Sequence, residues 1–268
     1  MKDKEQLQAQ YATASNLNSR AALHWLFSTN KLGWNQWVFQ NYELQSGQKI
    51  LELGCGNGGI WAGHAVQIPE EIILILSDFS AGMLQEAKEN ICGISNVGFM
   101  VIDAQNIPWA DAAFDIVIAN HMLYHVPDLD RAIKEIARVL KPGGTLYATT
   151  LGAGNFKELF DLLHAFEPSF VFGQEALTDA FGLETGEAKL RGCFAEVEIR
   201  RYPDGLHVTQ AQPLVDYVRS LQGIGNVTEI FEGEKAELFG RYFEDIIARD
   251  GAIDISKDAG MLVAHKGA

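Results

Sequence analysis

Between residues 48 and 152, short apolar runs alternate with helix-length amphipathic segments. The runs are KILELG (49–54), IILILSD (72–78), VGFMVID (97–103), FDIVIAN (114–120) and TLYATTL (145–151). Each is continuous rather than alternating, the pattern of a strand buried on both faces of a parallel sheet. Between them, AGMLQEAKENIC (81–92) and DLDRAIKEIARVL (128–140) repeat apolar residues every three or four positions, as a helix with one packed face requires. Ser80 stands at the N-cap of the first and Asp128 at that of the second, which KPGG (141–144) closes. This is a βαβ series, and it predicts a doubly wound α/β core over 48–152.

Residues 1–47 read as helical, carry Trp25, Trp34 and Trp37, and are expected to form an N-terminal lid. Beyond residue 152 the pattern loosens into a helix near 155–167, a stretch holding Phe166, Phe170, Phe172 and Phe181, and two later helices, QPLVDYVRSL and EKAELFGRYFEDIIAR. AEVEIRRY (195–202) alternates like a strand, and GMLVAHK (260–266) reads as the last one. The expected architecture is a seven-stranded Rossmann-like sheet, mostly parallel with one antiparallel edge strand, plus a helical cap. Segments 195–202 and 259–268 complete the sheet as an antiparallel pair. Segments 153–194 and 203–258 cap the strand carboxyl ends. There are no repeats and no low-complexity linkers.

Charge narrows the partners. Acidic residues outnumber basic ones by 35 to 21, a formal charge of −14 on 268 residues. Such a surface repels phosphate backbones, and no basic patch offsets it, the densest pairing being Arg200-Arg201. Nucleic acid is disfavoured as a partner. The longest strongly apolar run, IILIL, is far too short to span a bilayer, and MKDKEQLQAQ has no apolar stretch of a signal peptide. Cys55, Cys92 and Cys193 are odd in number and lack C-x-x-C spacing, so they read as free thiols in a cytoplasmic protein.

The first strand runs into LELGCGNGG (51–59), with Gly54-x-Gly56-x-x-Gly59 in the spacing of nucleotide-binding loops. Those glycines alone admit an NAD(P)-dependent oxidoreductase as readily as another adenosine cofactor. The Tyr-x-x-x-Lys pair of short-chain dehydrogenases does not follow, since Tyr11 and Tyr124 are succeeded four residues on by Ser15 and Asp128. Instead Glu52 precedes the first glycine by two residues, Asp78 ends the second strand before FSAGML, Asp103 ends the third in DAQNIPW, and FDIVIANHMLYHV and RVLKPGG follow.

Over residues 48–152 this order of elements resembles the class I S-adenosylmethionine-dependent methyltransferases, small-molecule members in particular. The resemblance implies S-adenosylmethionine as cofactor, bound by Glu52, Gly54, Cys55, Gly56, Gly58, Asp78, Phe79, Met83, Asp103, Ala104, Gln105 and Asn120. Within that set Asp78 takes the ribose hydroxyls, Asp103 and Ala104 the adenine edge, Phe79 and Met83 its faces, and Glu52 with Asn120 the methionine end. Glycines 54, 56 and 58 are expected to bring backbone up to the ligand. Cys55 is a small residue between them rather than a nucleophile. Substrate contacts are expected from Tyr11, Trp34, Trp37 and Tyr124. His121 and His125 are the candidate catalytic residues, as a general base or as hydrogen-bonding pocket walls. Their H-x-x-x-H spacing lacks the glutamate of a zinc helix, residue 122 being Met, so no metal is expected. The acceptor is expected to be a small, partly apolar molecule. Residues 120–123 read NHML, without the N/D-P-P-Y/F tetrapeptide of amino methylation in nucleic acids. A protein that binds the cofactor without turnover is the other alternative.

Overall fold

The computed structural model describes residues 22–91, 93–170, 173–221 and 233–268. Tyr11, Cys92 and Phe172 of the sequence reading lie outside them. Strands β1 (Lys49–Leu53), β2 (Ile73–Asp78), β3 (Val97–Val101), β4 (Phe114–Asn120) and β5 (Leu140–Leu151) pair in parallel, in the order β3-β2-β1-β4-β5. Strand β7 (Ile253–His265) joins β5 antiparallel, and β6 (Glu196–Val208) closes the edge against it. The one antiparallel strand is thus second from the rim.

Alternate residues feed two cores. Leu51, Leu53, Val117, Ala119, Leu146 and Ala148 face one side, and Ile50, Leu74, Leu76, Ile116, Ile118 and Tyr147 the other. That is why the five runs are apolar without interruption. Helices α1 (Trp34–Gln40), α2 (Gly59–Ala62), α3 (Ala81–Asn90) and α4 (Leu129–Val139) follow. Ser80 Oγ accepts from Met83 N at 3.4 Å at the head of α3, and Asp128 accepts from Arg131 N at 3.0 Å at the head of α4. Both caps stand where the sequence puts them. Strand β3 stops at Val101, two residues before Asp103, and β5 begins at Leu140, so KPGG lies inside the strand.

The last two strands are longer than their apolar runs. They stay paired from Glu196↔His265 to Val208↔Ile253. Pro203 reads as a strand breaker, but on an edge strand it owes the ladder no donor. IDISKD (253–258) alternates, with Ile253 and Ile255 buried. Their far ends carry Leu206, Val208, Ile253 and Ile255 into a third core. Helices α5 (Lys157–Phe166), α8 (Ala211–Ser220) and α9 (Gly233–Asp250) supply Leu159, Leu163, Leu214, Val218, Phe239 and Phe243 to it, and the helical stretch 22–27 adds Leu23 and Phe27. Helices α6 (Gln174–Phe181) and α7 (Leu183–Leu190) pack Phe181, Leu183 and Leu190 into the α4-side core. No helix among the described residues is long and apolar enough to cross a membrane.

Candidate active site

Strand order reverses between β1 and β4, whose outward neighbours are β2 and β5. Open α/β sheets bind ligands outside the carboxyl ends of strands at such a point. Strand β1 delivers Gly54, Gly56 and Gly58 there at φ +70°, +55° and +71°. The three glycines answer to different needs. A Cβ on Gly54 would lie 2.9 Å from Met122 Cβ, and one on Gly58 would lie 2.7 Å from Ile91 Cδ1. A Cβ on Gly56 would meet nothing within 4 Å. Of the three glycines expected to face a ligand, Gly54 and Gly58 are therefore pressed against the protein itself, and Gly56 is the one open to the crevice. Cys55, between them, bonds its N–H to Ser77 O at 2.8 Å, and burial pushes its thiol up, so it holds no thiolate for chemistry.

Two carboxylates sit below the loop. Asp78 Oδ2 accepts from Gly56 N at 3.0 Å and Oδ1 from Ser80 N at 2.8 Å. A carboxylate offers about four acceptor positions, and with the Phe79 N–H also bonding to this one, capacity is left for a ribose hydroxyl. Burial raises the Asp78 carboxyl despite these bonds. Glu52, 2% exposed, accepts from Trp61 Nε1 at 2.5 Å and from Asn120 Nδ2 at 2.8 Å. Burial lifts it to about 7, with Trp61 and Asn120 pulling the other way and the charge of Asp78 adding to the rise. Asn120 also donates to Tyr42 Oη at 2.8 Å and accepts from Thr149 Oγ1 at 3.2 Å. The two acids and this network fit a cofactor that carries hydroxyls at one end and positive charge at the other.

After β3, Asp103 Oδ1 accepts from Gln105 N at 3.0 Å and Gln105 Nε2 at 2.8 Å. Gln105 Oε1 in turn takes Asp128 N at 3.1 Å, tying this turn to the head of α4. Ala104 is buried in the α4-side core, and Met83 is 2% exposed, so little of either is left for a ligand. Phe79 is half-buried.

His121 leaves β4 at φ +48°, an uncommon conformation for a residue with a side chain, held by its N–H bonding to Thr149 O and Oγ1, each at 3.1 Å. Its ring stands 5.1 Å from Trp34, which is 5.4 Å from Trp37. Burial, with the Lys257 charge behind it, lowers the His121 imidazole to about 4, well away from the ordinary histidine range. His125 ends a single 3-10 turn, Leu123–His125, its ring 4.5 Å from Tyr124. The two histidines thus occupy different local structures rather than one helix face. Of the expected substrate residues, Trp34 and Trp37 form one aromatic wall on α1, and both touch Tyr202, at 5.3 and 5.2 Å.

Several members of the site carry no signal in the sequence. Trp61, nine residues past Glu52, looks like core. Tyr42 and Thr149 come from segments read as lid and strand. Tyr202 and Lys257 lie far apart in the chain and meet through the β6–β7 pairing, and His24, on the helical stretch 22–27, sits within reach of the Lys257 charge.

A model of the methyltransferase domain matches residues 51–148. The chain is 28% identical over 173 residues to the ubiquinone/menaquinone biosynthesis C-methyltransferase UbiE of Haemophilus ducreyi, covering 63% of this chain and 64% of that one. To the demethylmenaquinone methyltransferase of Staphylococcus aureus it is 32% identical over 169 residues, 61% of this chain and 69% of that protein. It therefore spans just under two thirds of the first relative's length. The solved YcgJ protein of Bacillus subtilis shares the fold, with a TM-score of 0.58 at 16% identity over 87% of this chain and 98% of its own. Sequence order, strand-end geometry and these relatives agree: the chain belongs to the class I S-adenosylmethionine-dependent methyltransferases.

Proposed function

We propose that the protein transfers a methyl group from S-adenosylmethionine to a small, partly apolar molecule, chiefly by holding the two in line. When bound, S-adenosylmethionine supplies a methyl on a sulfonium, already activated for displacement. The observation that carries the reading is the pairing of open-faced Gly56 with Asp78, whose carboxylate retains acceptor capacity, at the point where strand order reverses. On this reading Asp78 receives the ribose hydroxyls in charge-assisted bonds. Asp103 and Gln105 meet the adenine edge, with Phe79 beside the ring. Glu52 and Asn120 bound the methionine end, where an acidic lining favours a cation and opposes a dinucleotide's phosphates.

Trp34 and Trp37 wall the acceptor side with Tyr124, and keep water from the reacting methyl. His121, neutral at working pH, shapes this space and accepts a hydrogen bond rather than cycling a proton; His125 lies beside Tyr124. Alignment suffices as the main source of rate, since effective molarities in oriented systems reach about 10⁵ M. The names of the quinone-methylating relatives favour a hydroxylated aromatic ring as the acceptor. Calorimetry with S-adenosylhomocysteine and NADH tests the cofactor. The expected result is binding of the first alone, and tight NADH binding with none of S-adenosylhomocysteine overturns the proposal.

A further inference from the structure

Beyond the crevice, the β6–β7 pairing builds a polar wall that the cofactor contacts do not use. Asp204 and Lys257 face each other across the two strands. They form an ion pair whose side chains are 0% and 8% exposed. Asp204 is saturated by the chain: Ser28 Oγ donates to it at 2.6 Å, Asn30 N at 2.9 Å and Gly205 N at 2.8 Å. Lys257 gives Asp204 one of its three N–H groups and stands 5.3 Å over the Tyr202 ring. A buried ion pair is a poor stabiliser, because desolvation offsets most of the attraction. Its presence here calls for another use.

Two buried polar atoms beside it, His24 Nδ1 and Tyr202 Oη, have no well-aligned hydrogen-bond partner among the described residues, Ser28 and the Gly33 N–H lying near Tyr202 Oη without good geometry. An unsatisfied buried polar atom costs about 1–3 kcal/mol, so native folds rarely keep two around one ion pair without a reason. Burial, with Lys257's charge adding, lowers His24 to about 3, which leaves its ring neutral with one donor and one acceptor nitrogen. The His24 ring stands edge-on to Phe156 and Tyr217, at 5.7 and 6.2 Å, and these two stack at 4.9 Å. The wall is continuous with the crevice through Trp34, which touches both Tyr202 and His121.

Resting on the methyl-transfer reading, we propose that His24, Tyr202 and Lys257 are the acceptor's anchor: they hold an oxygen of a hydroxylated aromatic ring while Trp34 lies against the ring and the crevice presents the methyl. The ligand class follows from the wall, which offers hydrogen-bond partners for an oxygen that is neutral or negative, ringed by aromatic faces. A fixed carboxylate would need a cation that Asp204 does not already neutralise, so a phenolic or enolic oxygen suits it better.

The experiment is calorimetric titration of the whole protein with 2-naphthol and with naphthalene, each in the presence and absence of S-adenosylhomocysteine. Wild type should bind 2-naphthol at least tenfold more tightly than naphthalene. Tyr202→Phe, which removes one oxygen from a buried ring, and His24→Phe should each cut that preference several-fold, and together abolish it. Affinity for S-adenosylhomocysteine should stay within about twofold, which also certifies that the variants are folded. Equal binding of the two probes by wild type overturns the anchor, as does an undiminished preference in the double variant. Failure to bind S-adenosylhomocysteine counts against methyl transfer instead, and the probe comparison run without it then decides the anchor alone.

Discussion

Alanine placed at each of the three left-handed glycines separates a ligand-facing position from two that serve packing. At φ near +55° to +71° any side chain costs on the order of 1 kcal/mol, and all three positions share that charge. Gly56→Ala adds no overlap, because its Cβ meets nothing within 4 Å. The ligand-free variant should therefore lose about 1 kcal/mol, roughly 2–4 °C in a chain of this size. Gly54→Ala drives a Cβ to 2.9 Å from Met122 Cβ and 3.0 Å from its Cγ, close to the backbone where nothing swings aside. Overpacking of that kind adds about 1–3 kcal/mol, for a total near 2–4. At Gly58 the nearest clash is with the tip of the Ile91 side chain rather than with atoms next to backbone, so the loss should fall between the two.

Ligand binding reverses the ranking. S-adenosylhomocysteine at a hundred times its Kd should stabilise wild type by about 2.7 kcal/mol, or about 5–10 °C. Gly56→Ala should lose most of that shift, since its methyl enters the space left for the cofactor. Gly58→Ala should keep most of its shift on a lower baseline. Thermal unfolding with and without ligand measures both quantities. A full ligand shift in Gly56→Ala, or a wild-type baseline in Gly54→Ala, would refute the division of labour.

Other consequences are equally concrete. Asp78→Asn should weaken S-adenosylhomocysteine by about 1.5–3 kcal/mol in calorimetry, the worth of a charged hydrogen bond, and an unchanged Kd would remove Asp78 from the ribose contact. With His121 held near 4, the single-turnover methyl-transfer rate should show no histidine step between pH 5 and 9, and His121→Ala should lower it without changing the profile's form; a wild-type rise through pH 6.5 that the variant lacks would make His121 the base. His24 and His121 sit near 3 and 4 in the fold against about 6.5 unfolded, so the unfolded chain takes up their protons first and stability falls on acidification below pH 6.5. Glu52, held near 7 against 4.5 unfolded, works oppositely, its effect declining stability as pH rises from about 4.5 to 7. Two imidazoles against one carboxyl leave a net slope of about one proton near pH 5.5, on the order of 1 kcal/mol gained per pH unit and less toward pH 6.5, and urea unfolding that is flat or reversed between pH 5 and 6 would contradict the three assignments.

The parallel half of the fold was legible because burial on both faces leaves a strand no polar positions, and the helix caps Ser80 and Asp128 punctuate the series. The far half was harder for a physical reason. Residues 203–208 and 253–258 pair with each other outside the main sheet, where one face meets a separate core, so their apolar positions alternate with Asp204, Gly205, Asp254 and Lys257. Pro203 and Gly205 then imitate a turn. Helices α6 and α7 hid in a stretch whose phenylalanines pack toward different cores, Phe170 into one and Phe181 into another, which blurs any single helical period.

The site divides along the same line. Strand ends of a doubly wound sheet are fixed by topology, so a residue's place there, as at Glu52, Asp78 or Asn120, is readable from its offset along the run. What such a residue bonds to is not. The indole of Trp61 on Glu52, and the hydroxyls of Tyr42 and Thr149 on Asn120, depend on which side chains the lid and β5 bring to the same depth. Those partners decide the electrostatics: they hold a buried carboxyl near 7 where burial alone would take it higher. The same logic makes the acceptor side harder to read than the cofactor side. A cofactor's contacts recur at positions topology dictates, whereas His24, Tyr202 and Lys257 are separated by more than two hundred residues at the extremes and converge only because an edge strand outruns its sheet.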